Sequence, residues 1–234
     1  MIRREQHGMV WLEFSLLQEF ASRVQHAVFL RRNAQEEMLP IKPMQHIFGN
    51  HLLVCADLEH GIRIEHVTDE LKAKYSCDAL LTTHVKRPLA ITHADCQATI
   101  LYDPCRHLLM NIHCGWRGNR HHIYHEAVKE AERRGSRPQD LLACIGPSLG
   151  PRRAEFVNYE EEWPCDKWAF RVNATHFDLW EMSRMQLQEA GLLASHIEIA
   201  KLCTYENPES FFSFRRAKHE GKTTGRHVTM AMLL

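Results

Sequence analysis

Long apolar runs are missing from this sequence, in which no stretch approaches the ~18–20 residues of a membrane-spanning helix. Residues 1–14 carry charges but neither an apolar core nor a small-residue cleavage site, so we expect no secretory signal peptide. An excess of one charge is missing too, since 29 Lys and Arg balance 29 Asp and Glu. No global field therefore favours nucleic acid or a membrane surface as a partner.

Closely paired cysteines are also absent: the chain has eight cysteines, and none forms a C-x-x-C pair. In a chain of 234 residues this favours reduced thiols and a cytoplasmic location over a disulfide framework. The sequence shows no internal repeat, no low-complexity tract and no interdomain linker, and 44% of its residues are hydrophobic. We therefore expect one domain over residues 1–234 with a sizeable core.

Short β-prone segments outnumber helical patterns along the chain. Two amphipathic patterns predict helices over residues 117–134 and 178–190, the second with Asp178 as its N-cap and Gly191 as its stop. Residues 58–74 are polar and are interpreted as a surface excursion. Strands mixed with helices predict an α+β fold or a layered α/β sandwich around one core. Strands are predicted over residues 9–14, 26–30, 78–82, 88–92, 98–102, 108–112, 141–145, 197–203, 211–216 and 228–233, with a hairpin or strand-turn-strand over 44–57.

The densest chemistry lies in residues 91–119. Cys96 and His113 stand on either side of a turn signal, Asp103-Pro104, and apolar β-prone residues flank that turn. Two neighbouring strands would then carry a thiol and an imidazole to one place. Such a pair can bind a soft metal ion, or it can act as a nucleophile and its base.

A glycine-rich turn follows His113. Gly115 and Gly118 flank Arg117, and a helical pattern begins at about Arg117. A helix that opens on a glycine turn leaves backbone N–H groups free at the positive end of its dipole. The backbone of Gly115 and Gly118, together with the Arg117 side chain, therefore predicts an anion cradle suited to phosphate.

These segments carry a family resemblance, because several short blocks occur together in a characteristic order. A-D-C combined with H-x-G-W-R-G and F-F-S-x-R-R is highly specific. The chain resembles the purine nucleoside phosphorylase family formerly called multicopper polyphenol oxidases, or laccase-domain proteins. The matching blocks are DALLT (78–82), HADCQATILYD (93–103), IHCGWRGN (112–119), IGPSLGPRRAEF (145–156), FDLWEMSRMQLQEAG (177–191), CT (203–204), FFSFRR (211–216) and TGRHVTM (224–230).

The resemblance implies a single-domain α+β fold, a layered α/β/β/α sandwich with mixed sheets. It implies phosphorolysis of adenosine, inosine, guanosine and methylthioadenosine to base and pentose 1-phosphate, and deamination of adenosine. The implied partners are a purine nucleoside and phosphate, with no nucleic acid and no membrane. The implied cofactor is Zn²⁺, expected in preference to copper, held by one cysteine and two histidines. Cys96 and His113 match two of these ligands.

The third ligand departs from the family pattern. The family's second histidine stands in Q-x-H-G, and residues 46–49 of this chain read H-I-F-G, which puts Phe48 at the ligand position. Since phenylalanine cannot bind zinc, another histidine must substitute or the metal is lost. His46 is the predicted third ligand because it lies two positions away, on the same face of a strand. His51 and His93 are the alternatives.

The remaining site predictions concern catalysis. Cys96 and His113 are the predicted catalytic pair, Asp95 is predicted to orient a ligand or act as an acid/base, and Arg215 is a second phosphate-binding candidate beside Arg117. Two other function classes stay open. One is a cysteine hydrolase or amidase that uses Cys96 and His113, for example in editing peptidoglycan precursors. The other is a non-catalytic relative that binds a nucleoside.

Overall fold

The structure is a computed structural model that describes residues 1–6, 8–31, 44, 46–68 and 72–234. In these ranges a single α+β domain is built from two sheets and a few helices. The strands are β1 (Ile2–Gln6), β2 (Met9–Glu13), β3 (Val24–Phe29), β4 (Val54–Asp57), β5 (Ile64–His66), β6 (Lys74–Ser76), β7 (Ala79–Thr82), β8 (Leu89–His93), β9 (Gln97–Asp103), β10 (Leu108–Cys114), β11 (Leu142–Ile145), β12 (Ile197–Ile199) and β13 (His227–Leu233). The α-helices are α1 (Trp116–Arg120), α2 (Ile123–Glu132), α3 (Tyr159–Glu162), α4 (Leu179–Glu189) and α5 (Phe214–His219), and 3-10 helices span Gln18–Phe20, Pro138–Asp140, Cys165–Phe170 and Ala194–His196.

Both sheets are mixed, as predicted. The seven-stranded sheet has the order β1-β2-β3-β13-β8-β4-β6, and the six-stranded sheet has the order β12-β11-β9-β10-β7-β5. Parallel pairing is confined to β4 with β6 and β8, β5 with β7, and β11 with β12, whereas the other described pairs are antiparallel.

The main core lies between the two sheets, because alternate residues of each strand face inward. In β9, Ile100 and Tyr102 belong to this inner cluster, together with Val28 of β3 and Ile91 of β8 from the other sheet. Leu101, between them in sequence, belongs instead to the cluster under the helices. All seven residues of β9 are buried, so this strand is covered on both faces.

Helices α2 and α4 cover the outer face of the six-stranded sheet. The apolar stripe of α2, which includes Ala127 and Val128, packs there with Leu187 of α4. The Asp178 side chain accepts a hydrogen bond from the Glu181 N–H at 3.0 Å and caps α4, as predicted. Gly191 follows the helix with φ of +101° and ends it, which is also the predicted stop.

Three predicted elements differ from the structure. The helix predicted over 117–134 is divided in two, since His122 adopts a left-handed conformation with φ of 60°. The strand predicted over 211–216 is replaced by the start of α5, because the Ser213 side chain accepts from the Arg216 N–H and nucleates a helix. In the region 44–57 only Val54–Asp57 forms a described strand, and residues 46 and 47 are helical.

In the described part of the chain, none of the helices is both long enough and apolar enough to traverse a lipid bilayer.

Candidate metal centre and its cavity

A cavity of about 1010 Å³ opens where the two sheets meet α1 and α5. Its wall combines the segments that the sequence singled out, the end of β8, the start of β9, the end of β10 and the beginning of α5. Cys96, His113, Asp95, Gly115 and Arg215 all line it. The structure thus brings most of the predicted site residues to one place.

Antiparallel pairing of β9 and β10 places the thiol beside the imidazole. The register puts His113 opposite Ala98 and Cys114 opposite Gln97, and Cys96 directly precedes β9. The prediction that two neighbouring strands carry Cys96 and His113 together is therefore confirmed. Cys96 is partly exposed to the cavity, and His113 is 2% exposed.

A second imidazole completes a three-residue group. One ligand atom from each of His60, Cys96 and His113 lies within 4.8 Å of the other two. The rings of His60 and His113 meet edge to face with centroids 4.9 Å apart. One thiolate and two imidazoles are a donor set that suits a borderline dication such as zinc, with a fourth position left for water or substrate.

A buried carboxylate holds both histidines. Asp78 is fully buried, and its Oδ1 accepts a hydrogen bond from the Nδ1–H of His113 at 2.9 Å. The same side chain accepts from the backbone N–H groups of His60 at 2.9 Å and Gly61 at 2.7 Å. With Nδ1 committed to Asp78, the Nε2 of His113 is the nitrogen free to bind a metal, as in carboxylate–histidine–metal triads.

The electrostatics of the group favour a thiolate. Burial raises the pKa of Cys96, but hydrogen bonds from His113 and His60 outweigh it and lower that pKa to about 7. Burial lowers the pKa of His113, whereas hydrogen bonds to Asp78 and Cys96 raise it, with a net value of about 9. A metal ligand or a nucleophile needs this ionised sulfur.

The space around the sulfur is kept by a glycine. A Cβ added at Gly115 would stand 3.1 Å from the Cys96 Sγ and 3.8 Å from the His113 Cε1. Any other residue would therefore crowd the ligand atoms. The role of Gly115 in this structure is steric clearance at the donor group, and the donor set and its surroundings fit a bound metal ion.

Both chain neighbours of Cys96 are fixed by side-chain hydrogen bonds. Asp95 has φ of +82°, a strained value for a non-glycine residue, and its carboxylate accepts from the Thr204 hydroxyl and the Arg215 N–H, each at 2.6 Å. The Gln97 amide donates to the Leu179 carbonyl at 3.0 Å. Asp95 thus ties the A-D-C block to the C-T and F-F-S-x-R-R blocks, and both of its oxygens already accept hydrogen bonds.

Only one part of the predicted anion cradle, Gly115, lines the cavity. The Arg117 guanidinium lies over the Trp116 ring, 4.5 Å from its centroid, and neither Arg117 nor Gly118 lines the cavity. Helix α1 has only five residues, so its dipole is short. Arg215 does line the cavity, and its guanidinium donates to the Glu155 carbonyl at 3.0 Å.

The third residue of the candidate group is His60, and the predicted His46 does not belong to the group. His46 is exposed on a helical turn, not on a strand, so the argument from a shared strand face does not apply. Phe48 is fully buried in an apolar cluster, with its ring 6.4 Å from that of Phe29. His93, an alternative, lines the cavity, but both of its ring nitrogens are engaged at 2.9 Å, by the Cys96 carbonyl and the Thr229 hydroxyl.

Sequence reasoning missed His60 and Asp78. The segment predicted as a surface excursion carries His60 to the donor group and also contains β5. A signal was available in both cases. His60-Gly61 repeats the His-Gly pair of the family motif twelve residues after the Phe48 position, and Asp78 opens the DALLT block.

Comparison with known proteins agrees with the geometry. The family model described as "Multi-copper polyphenol oxidoreductase laccase" matches residues 38–234. Purine nucleoside phosphorylase of Bacteroides thetaiotaomicron is 33% identical over 171 residues, covering 68% of this chain and 62% of that protein. Purine nucleoside phosphorylase YlmD of Bacillus subtilis is 31% identical over 191 residues, covering 73% of this chain and 67% of that protein. The chain thus spans less than two thirds of the Bacteroides relative.

Solved structures share the fold. The chain superposes on Bacillus licheniformis YfiH, described as a hypothetical protein, with a TM-score of 0.79 and 25% identity over 99% of both chains. It superposes on YlmD of Geobacillus stearothermophilus with a TM-score of 0.82 and 22% identity, over 98% of this chain and 97% of that one. With the family model covering most of its length and relatives above 30% identity, the chain belongs to the laccase-domain family, several of whose members bear the name purine nucleoside phosphorylase.

Proposed function

We propose that the protein is a metal-dependent purine nucleoside phosphorylase. It would convert adenosine, inosine, guanosine or methylthioadenosine and phosphate to the free base and a pentose 1-phosphate, and it would also deaminate adenosine. The observation that carries the proposal is the group of His60, Cys96 and His113 at the cavity between the two sheets, α1 and α5. The names of the relatives supply the reaction.

The metal is proposed to be Zn²⁺, held by Cys96, His113 and His60. One cysteine and two histidines leave a fourth position open, which is the arrangement of catalytic rather than structural zinc sites. When bound, the ion would supply Lewis acidity and activate water near neutral pH. Asp78 would keep the His113 ring in one tautomer and hold the His60 backbone at the site.

Phosphate binding is assigned to the α5 side of the cavity instead of the α1 side. Arg215, Lys218 and Arg226 line this wall. In the described part of the chain, none of the three forms a salt bridge with a carboxylate. Their charges are therefore available to hold an anion against the sugar and to stabilise the negative charge that develops as the bond to the base breaks.

Asp95 is assigned a positioning role in this proposal. Its two oxygens accept from Thr204 and from the backbone of Arg215, so it joins the thiol segment to the phosphate wall. It keeps Cys96 and Arg215 at a fixed separation. Errors of about 1 Å in such placements reduce rates by about 10²-fold.

The test is phosphate-dependent release of free base by purified protein. Adenine from adenosine, and hypoxanthine from inosine, should appear only with phosphate, and metal analysis should give about one zinc per chain. Inosine and ammonia formed from adenosine without phosphate would reveal deamination. Cys96→Ser is the matched control. Metal-replete protein that releases no base from any of the four nucleosides would contradict the proposal.

A second function is favoured by one observation, the hydrogen bond between His113 and a Cys96 thiol whose pKa is lowered to about 7. The same pair in a metal-free protein would form a cysteine nucleophile and its base. The two functions respond oppositely to a chelator. A phosphorylase loses activity when the metal is removed, whereas a cysteine amidase gains reactivity toward an electrophile such as iodoacetamide at Cys96.

A further inference from the structure

One aromatic side chain in the cavity is not used by the metal chemistry. Phe214 lines the cavity and is 54% exposed, while Phe211 and Phe212 in the same segment are 1% and 4% exposed. Eight large hydrophobic side chains are exposed in the described ranges, and only Phe214 and Val157 among them line this cavity. An exposed phenyl ring directed at a site marks a surface for an apolar or aromatic ligand.

The other aromatic rings of the wall are already committed to packing. Trp116 and Phe156 also line the cavity, but their centroids are 6.1 Å apart, and both pack on Trp163 at 5.9 Å and 5.3 Å. Phe214 makes no such ring-to-ring contact in the described structure. The Arg226 guanidinium lies over the Phe214 ring, 6.0 Å from its centroid.

The Phe214 ring stands on a backbone that is held firmly. It is the first residue of α5, and the next N–H, that of Arg215, donates to the Asp95 carboxylate at 2.6 Å. The guanidinium of Arg216 donates to three backbone carbonyls, at 2.7 to 2.8 Å. Asp95 is the residue directly before Cys96 in the chain. The hydrogen bond between Arg215 and Asp95 therefore fixes the position of the Phe214 ring relative to the donor group.

We propose that Phe214 is the platform on which the purine ring of the substrate stacks, an inference that rests on the proposed function. Arg226 lies over one face of the ring, and the purine packs on the other. Stacking uses the π-face that adenine, hypoxanthine and guanine share, so Phe214 contributes similarly to all of them. The platform selects for a flat aromatic base and does not distinguish among purines.

The experiment compares steady-state kinetics of Phe214→Ala, Phe214→Tyr and the parent protein with adenosine and inosine. We expect Phe214→Ala to raise KM by about tenfold for both nucleosides with kcat within about twofold, since one base–aromatic stack has a contribution of this size. Phe214→Tyr retains the ring and should keep the parent KM. Val172→Ala is the matched control, since Val172 is 51% exposed and lies outside the cavity wall.

A second readout separates this inference from the proposed function. Equilibrium dialysis of inosine without phosphate measures binding alone, and size-exclusion chromatography reports the association state. If the parent protein binds inosine and Phe214→Ala does not, the platform stands even where no phosphorolysis is found. An unchanged KM and unchanged inosine binding in Phe214→Ala would overturn the platform while leaving the phosphorylase intact. A dimer that Phe214→Ala converts to monomer, with binding unaffected, would also overturn it and assign the ring to a subunit interface.

Discussion

Two short segments of this chain, Phe48-Gly49 and His60-Gly61, place their side chains in opposite surroundings. At Phe48-Gly49 the side chain is fully buried against Phe29. At His60-Gly61 the side chain is exposed, and its ring approaches that of His113 edge to face. The sequence interpretation placed the family's metal-binding histidine at position 48, whereas the donor group contains His60.

The difference lies in what surrounds each segment, which is a cluster of apolar side chains at Phe48 and a buried carboxylate at His60. What a ligand needs is an anchor that fixes its backbone, and here the buried Asp78 supplies one by accepting from the N–H groups of His60 and Gly61. Phe48 lies in an apolar cluster, where burial of its ring is favourable.

The largest effect should come from a change at Cys96, whose thiolate is the metal ligand in the proposed phosphorylase and the nucleophile in the alternative cysteine amidase. Cys96→Ala removes the only sulfur of the donor group, and we expect metal affinity to fall on the order of 10³-fold, since ligand sets of this kind bind zinc with large free energies. Titration with a competing zinc chelator measures the change. Cys165→Ala, at an exposed cysteine outside the group, should leave affinity as it is. Equal affinities in the two variants would place the metal elsewhere.

A histidine at position 48 should destabilise the protein. Phe48→His puts a polar ring into a fully buried apolar cluster, and we expect the free energy of unfolding to fall by about 3 kcal/mol. Urea denaturation gives the number, and zinc content should not rise above that of the parent. A variant with higher metal content and parental stability would mean that position 48 still faces the site.

His60→Ala should weaken the metal about a hundredfold without affecting the fold, because His60 is exposed and contributes an imidazole. His46→Ala is the matched control at the histidine predicted from the sequence, and it should bind metal like the parent. Affinities measured by chelator competition decide between the two positions. A loss in His46→Ala with none in His60→Ala would reverse the assignment.

Asp78→Asn should have the smallest effect of the four. The amide keeps the shape of the side chain but loses the charge that orients His113 and the His60 loop, so we expect metal affinity to drop by about tenfold. Absorption spectra of the Co²⁺-substituted protein should show a changed ligand field. An unaltered spectrum and affinity would show that Asp78 has only a structural role.

Strand pairing was the part of this structure that sequence patterns could predict. Cys96 and His113 flank a turn between two apolar segments, so local periodicity already implied their approach. The cap at Asp178 and the stop at Gly191 were likewise readable, because each acts within one helical turn. The strand predicted over residues 211–216 was wrong because two local signals conflict there. Its aromatic residues favour a strand, whereas the Ser213 cap starts a helix.

The third ligand was missed because the sequence interpretation took Phe48-Gly49, and not His60-Gly61, as the counterpart of the family's His-Gly pair, and the contact that fixes His60 is distant in sequence. His60 is held at the site because its backbone N–H donates to Asp78, which directly precedes β7. Arg117 was assigned to phosphate from helix-start logic, but Trp116 captures its guanidinium. In both cases the deciding partner is a tertiary neighbour or a competing aromatic face, and neither is encoded in residue spacing.

The claim on which this account depends is that the imidazole of His60, together with Cys96 and His113, holds one metal ion. X-ray absorption spectroscopy of the zinc-loaded parent and of His60→Ala tests it most directly. The parent should show one sulfur at about 2.3 Å and two imidazole nitrogens at about 2.0 Å, and the variant should lose one imidazole and keep the sulfur. Two imidazoles retained in His60→Ala would contradict it.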